Sequence, residues 1–139
     1  MTQTLYETDF SAWIESQVQA LKKKDFAHLD IEHLLEEMET LGTSEKNAIE
    51  SHIVIILIHM IKMHMQPERS GKSWDDSIVN ARVKIEMIIE KNPSLKRYPE
   101  EVFTKCYQRA MKRASKEMGF ESRDIQGLCR WSLNVVLGV

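Results

Sequence analysis

The 139-residue chain has few of the residues that staple or punctuate a fold: two cysteines, three prolines and five glycines. Cys106 and Cys129 allow at most one bridge and belong to no paired metal-ligand spacing, which excludes a disulfide scaffold or zinc module and leads us to expect reduced thiols in a cytoplasm. Aromatic side chains make up only 7% of the sequence, too few to interleave with cations as a base-stacking surface. Charge of one sign is scarce too, since the formal balance of −2 gives no global pull toward nucleic acid or an anionic membrane. A secretory start is absent, because Tyr6, Glu7, Asp9 and Trp13 stand where a basic and then apolar segment would be. The longest apolar stretch, Ile53 to Met65, is interrupted by His59, Lys62 and His64 and falls short of the ~20 residues that cross a bilayer. The expectation is a cytoplasmic protein without a membrane segment.

What is present describes an ordinary globular chain, with 42% hydrophobic and 29% charged residues. A chain of this length buries roughly two-thirds of its unfolded surface around one core, so a single helical domain over residues 1–139 is expected. The charge is unevenly spread. Residues 1 to 50 hold 11 acidic and 4 basic side chains, whereas residues 51 to 139 hold 10 acidic and 15 basic.

Apolar periodicity predicts an all-α, up-and-down bundle of about five helices with a short C-terminal hook. The first helix runs from Asp9 to Lys23 on Phe10, Trp13, Ile14, Val18 and Leu21, with Thr8 as its cap. A second, Asp30 to Leu41, aligns Ile31, Leu34, Leu35, Met38 and Leu41 and is expected to stop at Gly42. Ser44 is expected to cap a third that extends to Gln66 ahead of Pro67 and is apolar all round, which makes it central. Ser73 and Asp76 form a capping box for a fourth, ended by Asn92 and Pro93. Pro99 opens a fifth, which Gly119 closes. Beyond it, Ile125, Leu128, Trp131, Leu133 and Leu137 suit a hook folded over the core.

Chemistry concentrates on the third helix, where His52, His59, Lys62 and Gln66 share a side by their spacings of seven, three and four. A lysine in a buried helix needs a carboxylate or water, and Glu36, Glu37, Glu39 and Asp76 are the candidate partners. One reading is a polar pocket, with His59 as general base or ligand, Lys62 holding an anion, and Gln66, Arg82 and Glu37 contributing. Its chemistry would best suit phosphodiester hydrolysis of the ribonuclease kind. The other is a structural lysine–carboxylate pair with a hydrogen-bonded histidine, which is favoured because no nucleophile or phosphate loop accompanies the cluster. His33 and Glu37, four apart, invite a metal reading, but the paired Glu-x-x-His arrangement of carboxylate metal bundles is missing, so neither metal nor cofactor is expected. The outer face of the fifth helix carries Lys105, Arg109, Lys112, Arg113 and Lys116, which can follow a polyanion such as nucleic acid or dock on an acidic surface such as residues 30 to 39 of another copy.

Ordered short motifs run along nearly the whole chain. They are Tyr6-Glu7-Thr8-Asp9-Phe10 with Trp13, Leu29-Asp30 leading to Leu34-Leu35-Glu36-Glu37-Met38-Glu39-Thr40-Leu41-Gly42, His59-Met60-Ile61-Lys62, Gln66-Pro67-Glu68-Arg69, Ser73-Trp74, Arg82 and Pro93-Ser94-Leu95. With these the chain resembles a bacterial family catalogued as domain of unknown function 29. The resemblance implies a compact helical fold and carries no activity, substrate or cofactor with it. It points to Asp9, Glu37, His59, Lys62, Gln66, Trp74 and Arg82 as polar residues in family motifs. In the tail, Arg130 stands where the family's usual cysteine-proline-aromatic ending has proline. Together these observations favour a helical module acting through protein contacts, as a homodimer or with another protein, its acidic and basic surfaces setting orientation. An enzyme or ligand binder at His59 and Lys62 and a nucleic-acid-associated protein are the alternatives.

Overall fold

A computed structural model describes residues 4–120 and 131–139. The fold is all-α, with no strand among the described residues. Its helices are α1 (Leu5–Thr8), α2 (Phe10–Lys22), α3 (Ile31–Met65), α4 (Lys72–Lys91), α5 (Tyr98–Met118) and α6 (Leu133–Leu137). Single 3₁₀ turns, Phe26–His28, Pro67–Arg69 and Pro93–Leu95, make the connections before α3, α4 and α5. Contacts gather into two compact units, Met1–Thr43 and Ser44–Val139, and the division falls inside α3.

The main departure from expectation is α3, one helix of 35 residues where two were predicted. Gly42 does not cap anything: its φ is not positive, and an exposed glycine inside a helix costs only about 1 kcal/mol relative to alanine. Strong helix formers on both sides, Leu34 to Leu41 and Glu45 to Glu50, outweigh that cost. Thr40 and Thr43 donate their hydroxyls back to the carbonyls of Glu36 and Thr40, at 3.0 Å each, and so do not divert the backbone. Ser44 therefore lies mid-helix rather than at an N-terminus.

Two caps also differ. Thr4 and Asp9, not Thr8, cap the first two helices, with Asp9 accepting from the Ala12 amide at 3.0 Å. Gly71 precedes α4 without a side-chain cap, leaving Ser73 inside the helix. Expected terminators elsewhere behave as read: Asn92 donates its amide to the Ile88 carbonyl at 2.9 Å, and Gly119 takes a left-handed φ of 73° after α5. Of the hook, Ile125, Leu128, Cys129 and Arg130 lie outside the described residues.

The first unit is an antiparallel helical hairpin of α2 and the start of α3. Lys24 closes α2 in a left-handed conformation without glycine, with the Asp25 amide reaching the Ala20 carbonyl at 2.8 Å. Among its described residues only Trp13, Gln17 and Ala20 are buried.

The second unit holds an up-down-up bundle. Asn92 at the end of α4 meets Glu45 of α3, and Trp74 at the start of α4 shares a cavity with Lys62 and Gln66, so α3 and α4 are antiparallel. Lys46 lies over the Tyr98 ring and Lys62 meets Glu117, so α5 runs parallel to α3. The core is Ile49, Ile53, Ile56, Leu57 and Ile61 of α3, all fully buried, closed by Ile78, Ala81 and Ile85 of α4. Each of the fully buried aliphatic side chains contributes about 2–3 kcal/mol. Helix α5 adds Val102, Cys106, Ala110 and Ala114 every fourth residue, all of them buried. The apolar stretch of α3 makes it long and apolar enough, by length and composition, to cross a membrane, and 44% of that stretch is buried.

Candidate functional site

Polar side chains gather in three places. In the hairpin, Asp30 caps α3 and is the centre of a small network. Its carboxylate accepts from the Trp13 indole N–H at 3.0 Å and pairs with Nδ1 of His33 at 2.7 Å, while its amide donates to the Gln17 side chain at 2.7 Å. Tyr6 stacks on His33 with ring centroids 3.9 Å apart and donates its hydroxyl to Glu37. The bond to Asp30 raises the His33 pKa and lowers that of Asp30, and the bond to Glu37 pushes Tyr6 up to about 12. A carboxylate-anchored imidazole is acid–base chemistry in kind. The same contacts also tie α1 and α2 to the start of α3, pairing Gln17 with Asp30, Trp13 with Asp30 and Tyr6 with Glu37 down the hairpin. Sequence reasoning weighed His33 and Glu37 as a metal pair, set that reading aside, and missed this network, whose signal was the Asp30-x-x-His33 spacing at a helix start. Among the described residues no three His, Cys, Asp or Glu converge to hold a metal ion.

The second place is the expected pocket on α3. Lys62 is three-quarters buried and pairs with Glu117 of α5 at 3.0 Å. Among the described residues none of the expected partners, Glu36, Glu37, Glu39 and Asp76, pairs with Lys62, because α5 packs beside this end of α3 and brings Glu117 to it. The ammonium holds the Glu117 carboxyl below the usual range. Lys62, Gln66, Arg69, Trp74, Glu117 and Met118 line a cavity of about 360 Å³. His59 is not part of it, because its Nδ1–H donates to the Ile55 carbonyl one turn back at 2.8 Å. Arg82 is spent elsewhere: its Nε and a terminal nitrogen donate to the carbonyls of Val136 and Val135 at 2.9 and 3.1 Å, holding α6. Of the nominated residues, then, only Lys62, Gln66 and Trp74 meet.

The third place is the outer side of α5, where the five cations do not act alike. Lys105 reaches in to Glu50, a carboxylate only 6% exposed, and holds its pKa below the ordinary value. Nearby, burial pushes the Cys106 thiol up to about 11, and its S–H meets the Glu50 carbonyl at 3.6 Å. Arg109, Lys112 and Arg113 instead line a groove of about 330 Å³ with Ser51, Val54 and Ile55 of α3, and Lys116 does not line it.

Compared with known proteins, the chain matches one family model, described as domain of unknown function DUF29, over residues 5–138. No curated protein and no solved structure matches it.

Proposed function

The chain belongs to the family of domains of unknown function DUF29, and on that footing we propose that it is a helical module that acts through protein contacts, its hairpin associating with the hairpin of a second copy. The observation that carries this reading is the uncovered apolar surface of the first unit. On α2, Phe10, Ile14, Val18 and Leu21 form a stripe 39–49% exposed, and on α3, Ile31, Leu35 and Met38 form another 56–68% exposed. A unit of about 40 residues with three buried side chains is too small to be stable without help from metal, disulfide or oligomerisation. These seven side chains expose on the order of 700 Å², close to the ~800 Å² per partner of a standard interface. Two amphipathic helices are half of a four-helix bundle, and a second copy supplies the other half about a twofold axis.

Charge opposes this pairing weakly. The hairpin unit holds nine carboxylates against three lysines, so two of them repel. Exposed charges contribute only tenths of a kcal/mol each and are screened beyond ~8 Å at physiological salt, whereas burying the stripes is worth several kcal/mol. Salt should therefore tighten the dimer, the reverse of what docking an acidic face on a basic one predicts. An aqueous, cytoplasmic setting accords with the burial of Ile49, Ile53, Ile56, Leu57 and Ile61 inside the second unit.

Sedimentation of the full chain tests the reading. At micromolar concentration a dimer is expected, tighter in high salt, and Leu35→Glu with Met38→Glu should give a monomer of unchanged helix content. A wild-type chain that stays monomeric at ~100 µM, far above the Kd expected of a standard-size interface, would overturn it.

A further inference from the structure

The groove on α5 has a chemistry that the hairpin's self-association leaves untouched. Arg109, Lys112 and Arg113 stand at i, i+3 and i+4 on α5, and Ser51, Val54 and Ile55 at the same spacings on α3, so each helix supplies one wall from neighbouring turns. Three cations and a hydroxyl line the groove, and no carboxylate does. Among the described residues none of the three side-chain cations forms an ion pair or a hydrogen bond; Arg109 and Arg113 act on Glu50 and Glu117 only through space, while Lys105 and Lys62 bond those carboxylates directly. Beneath the cations the floor is apolar, with Val54 buried and Ile55 half-buried. A low-dielectric floor strengthens attraction for a bound anion relative to open surface.

We infer that this groove binds the phosphate group of a small organic phosphate. Two arginines one turn apart present paired planar forks that match phosphate oxygens, Lys112 adds a compact charge, and Ser51 donates a hydroxyl. A single carboxylate would neutralise one of three charges, whereas a phosphate monoester neutralises up to about two and a diphosphate about three. Nucleic acid fits less well. The cationic strip is interrupted where Lys105 turns in to Glu50, and no aromatic side chain lines the groove to stack a base.

Calorimetry on the full chain at low ionic strength, with inorganic pyrophosphate as probe, tests the site. One equivalent should bind, and Arg109→Gln with Arg113→Gln should weaken binding by at least roughly tenfold, as expected for losing charge-assisted bonds. Ser51→Ala should weaken it by about threefold at an unchanged melting temperature, and Lys116→Gln should leave it unchanged. Vesicles with and without a lipid carrying a phosphate monoester separate the sources. Binding to those vesicles that the double variant abolishes assigns the phosphate to a lipid headgroup, and its absence beside pyrophosphate binding assigns it to a soluble ester. No pyrophosphate binding, an equal loss in Lys116→Gln, or binding of a single-stranded oligonucleotide but not of pyrophosphate would each overturn the inference.

Discussion

The two units solve the problem of an interior in opposite ways. From Ser44 onward, α3 closes on α4 and α5 through Ile49, Ile53, Ile56, Leu57 and Ile61, and its buried carboxylate, Glu50, is paired with Lys105. Before Thr43 the order is inverted: Trp13, Gln17, Asp30 and His33 make the internal contacts and the apolar stripes look outward. A hydrophobic interior is cooperative and self-sufficient, whereas a hydrogen-bonded one yields about 1 kcal/mol net per bond. The difference teaches that the first unit leaves most of its large apolar side chains uncovered, whereas the second encloses them.

The widest separation between the units should come from truncating one apolar residue in each. Ile53→Ala leaves a cavity in a closed core and should lower the stability of the second unit by about 3 kcal/mol. Leu35→Ala removes an exposed side chain and should leave that unfolding transition unchanged within ~0.5 kcal/mol, while weakening self-association. Urea titration followed by residue-resolved signals reads both. Equal shifts from the two variants would mean that the units unfold as one and that the comparison is mistaken.

A smaller effect should come from the polar interior. Asp30→Ala removes the α3 cap, the acceptor of Trp13 and the partner of His33 together. The expected cost is about 2 kcal/mol, confined to the first unit. Amide exchange over residues 10–22 should quicken on the order of thirtyfold, with residues 49–61 unaffected. Protection lost equally in both stretches would contradict a separate polar interior.

How much of this was readable depended on which kind of interior was being read. Apolar periodicity located α4, α5 and the buried half of α3, because a closed core writes its pattern directly into spacing. It misjudged Gly42, since a glycine's cost is local and small beside two long helical segments. That Lys62 required a carboxylate was legible from its place on an apolar helix; that Glu117 supplies it was not, because the parallel packing of α5 on α3 is a tertiary fact. Arg82 looked available for chemistry, and only the return of α6 shows where its donors go. In the hairpin Phe10, Trp13, Ile14, Val18 and Leu21 read as one apolar stripe, and of these Trp13 is buried while the other four are exposed. Those four are exposed because only the Trp13 edge of the stripe, with Gln17 beside it, makes the contact at the start of α3.

The finest test uses protons, because His33 in the first unit and His52 in the second titrate in opposite senses. His33 has its pKa raised, first by the bond to Asp30 and further by Glu32 and Glu36. Its contribution is fully present below the unfolded value of about 6.5 and is lost as pH rises through the higher folded value. Asp30, lowered by the same bond, contributes above its unfolded value of about 3.9 and loses that contribution only as pH falls through its lower folded value. His52 in the second unit is lowered, first by burial and then by Lys84, so the unfolded chain takes up a proton more readily than the native one. Its contribution holds above about 6.5 and is lost as pH falls. Between roughly pH 8 and pH 5, then, acidification should steady the hairpin and loosen the bundle. Amide exchange, corrected for intrinsic rates, should slow over residues 10–20 and quicken over residues 49–58. His33→Gln and His52→Gln should each flatten one slope and spare the other, and slopes of the same sign in both stretches would show that the units share a single proton-linked stability.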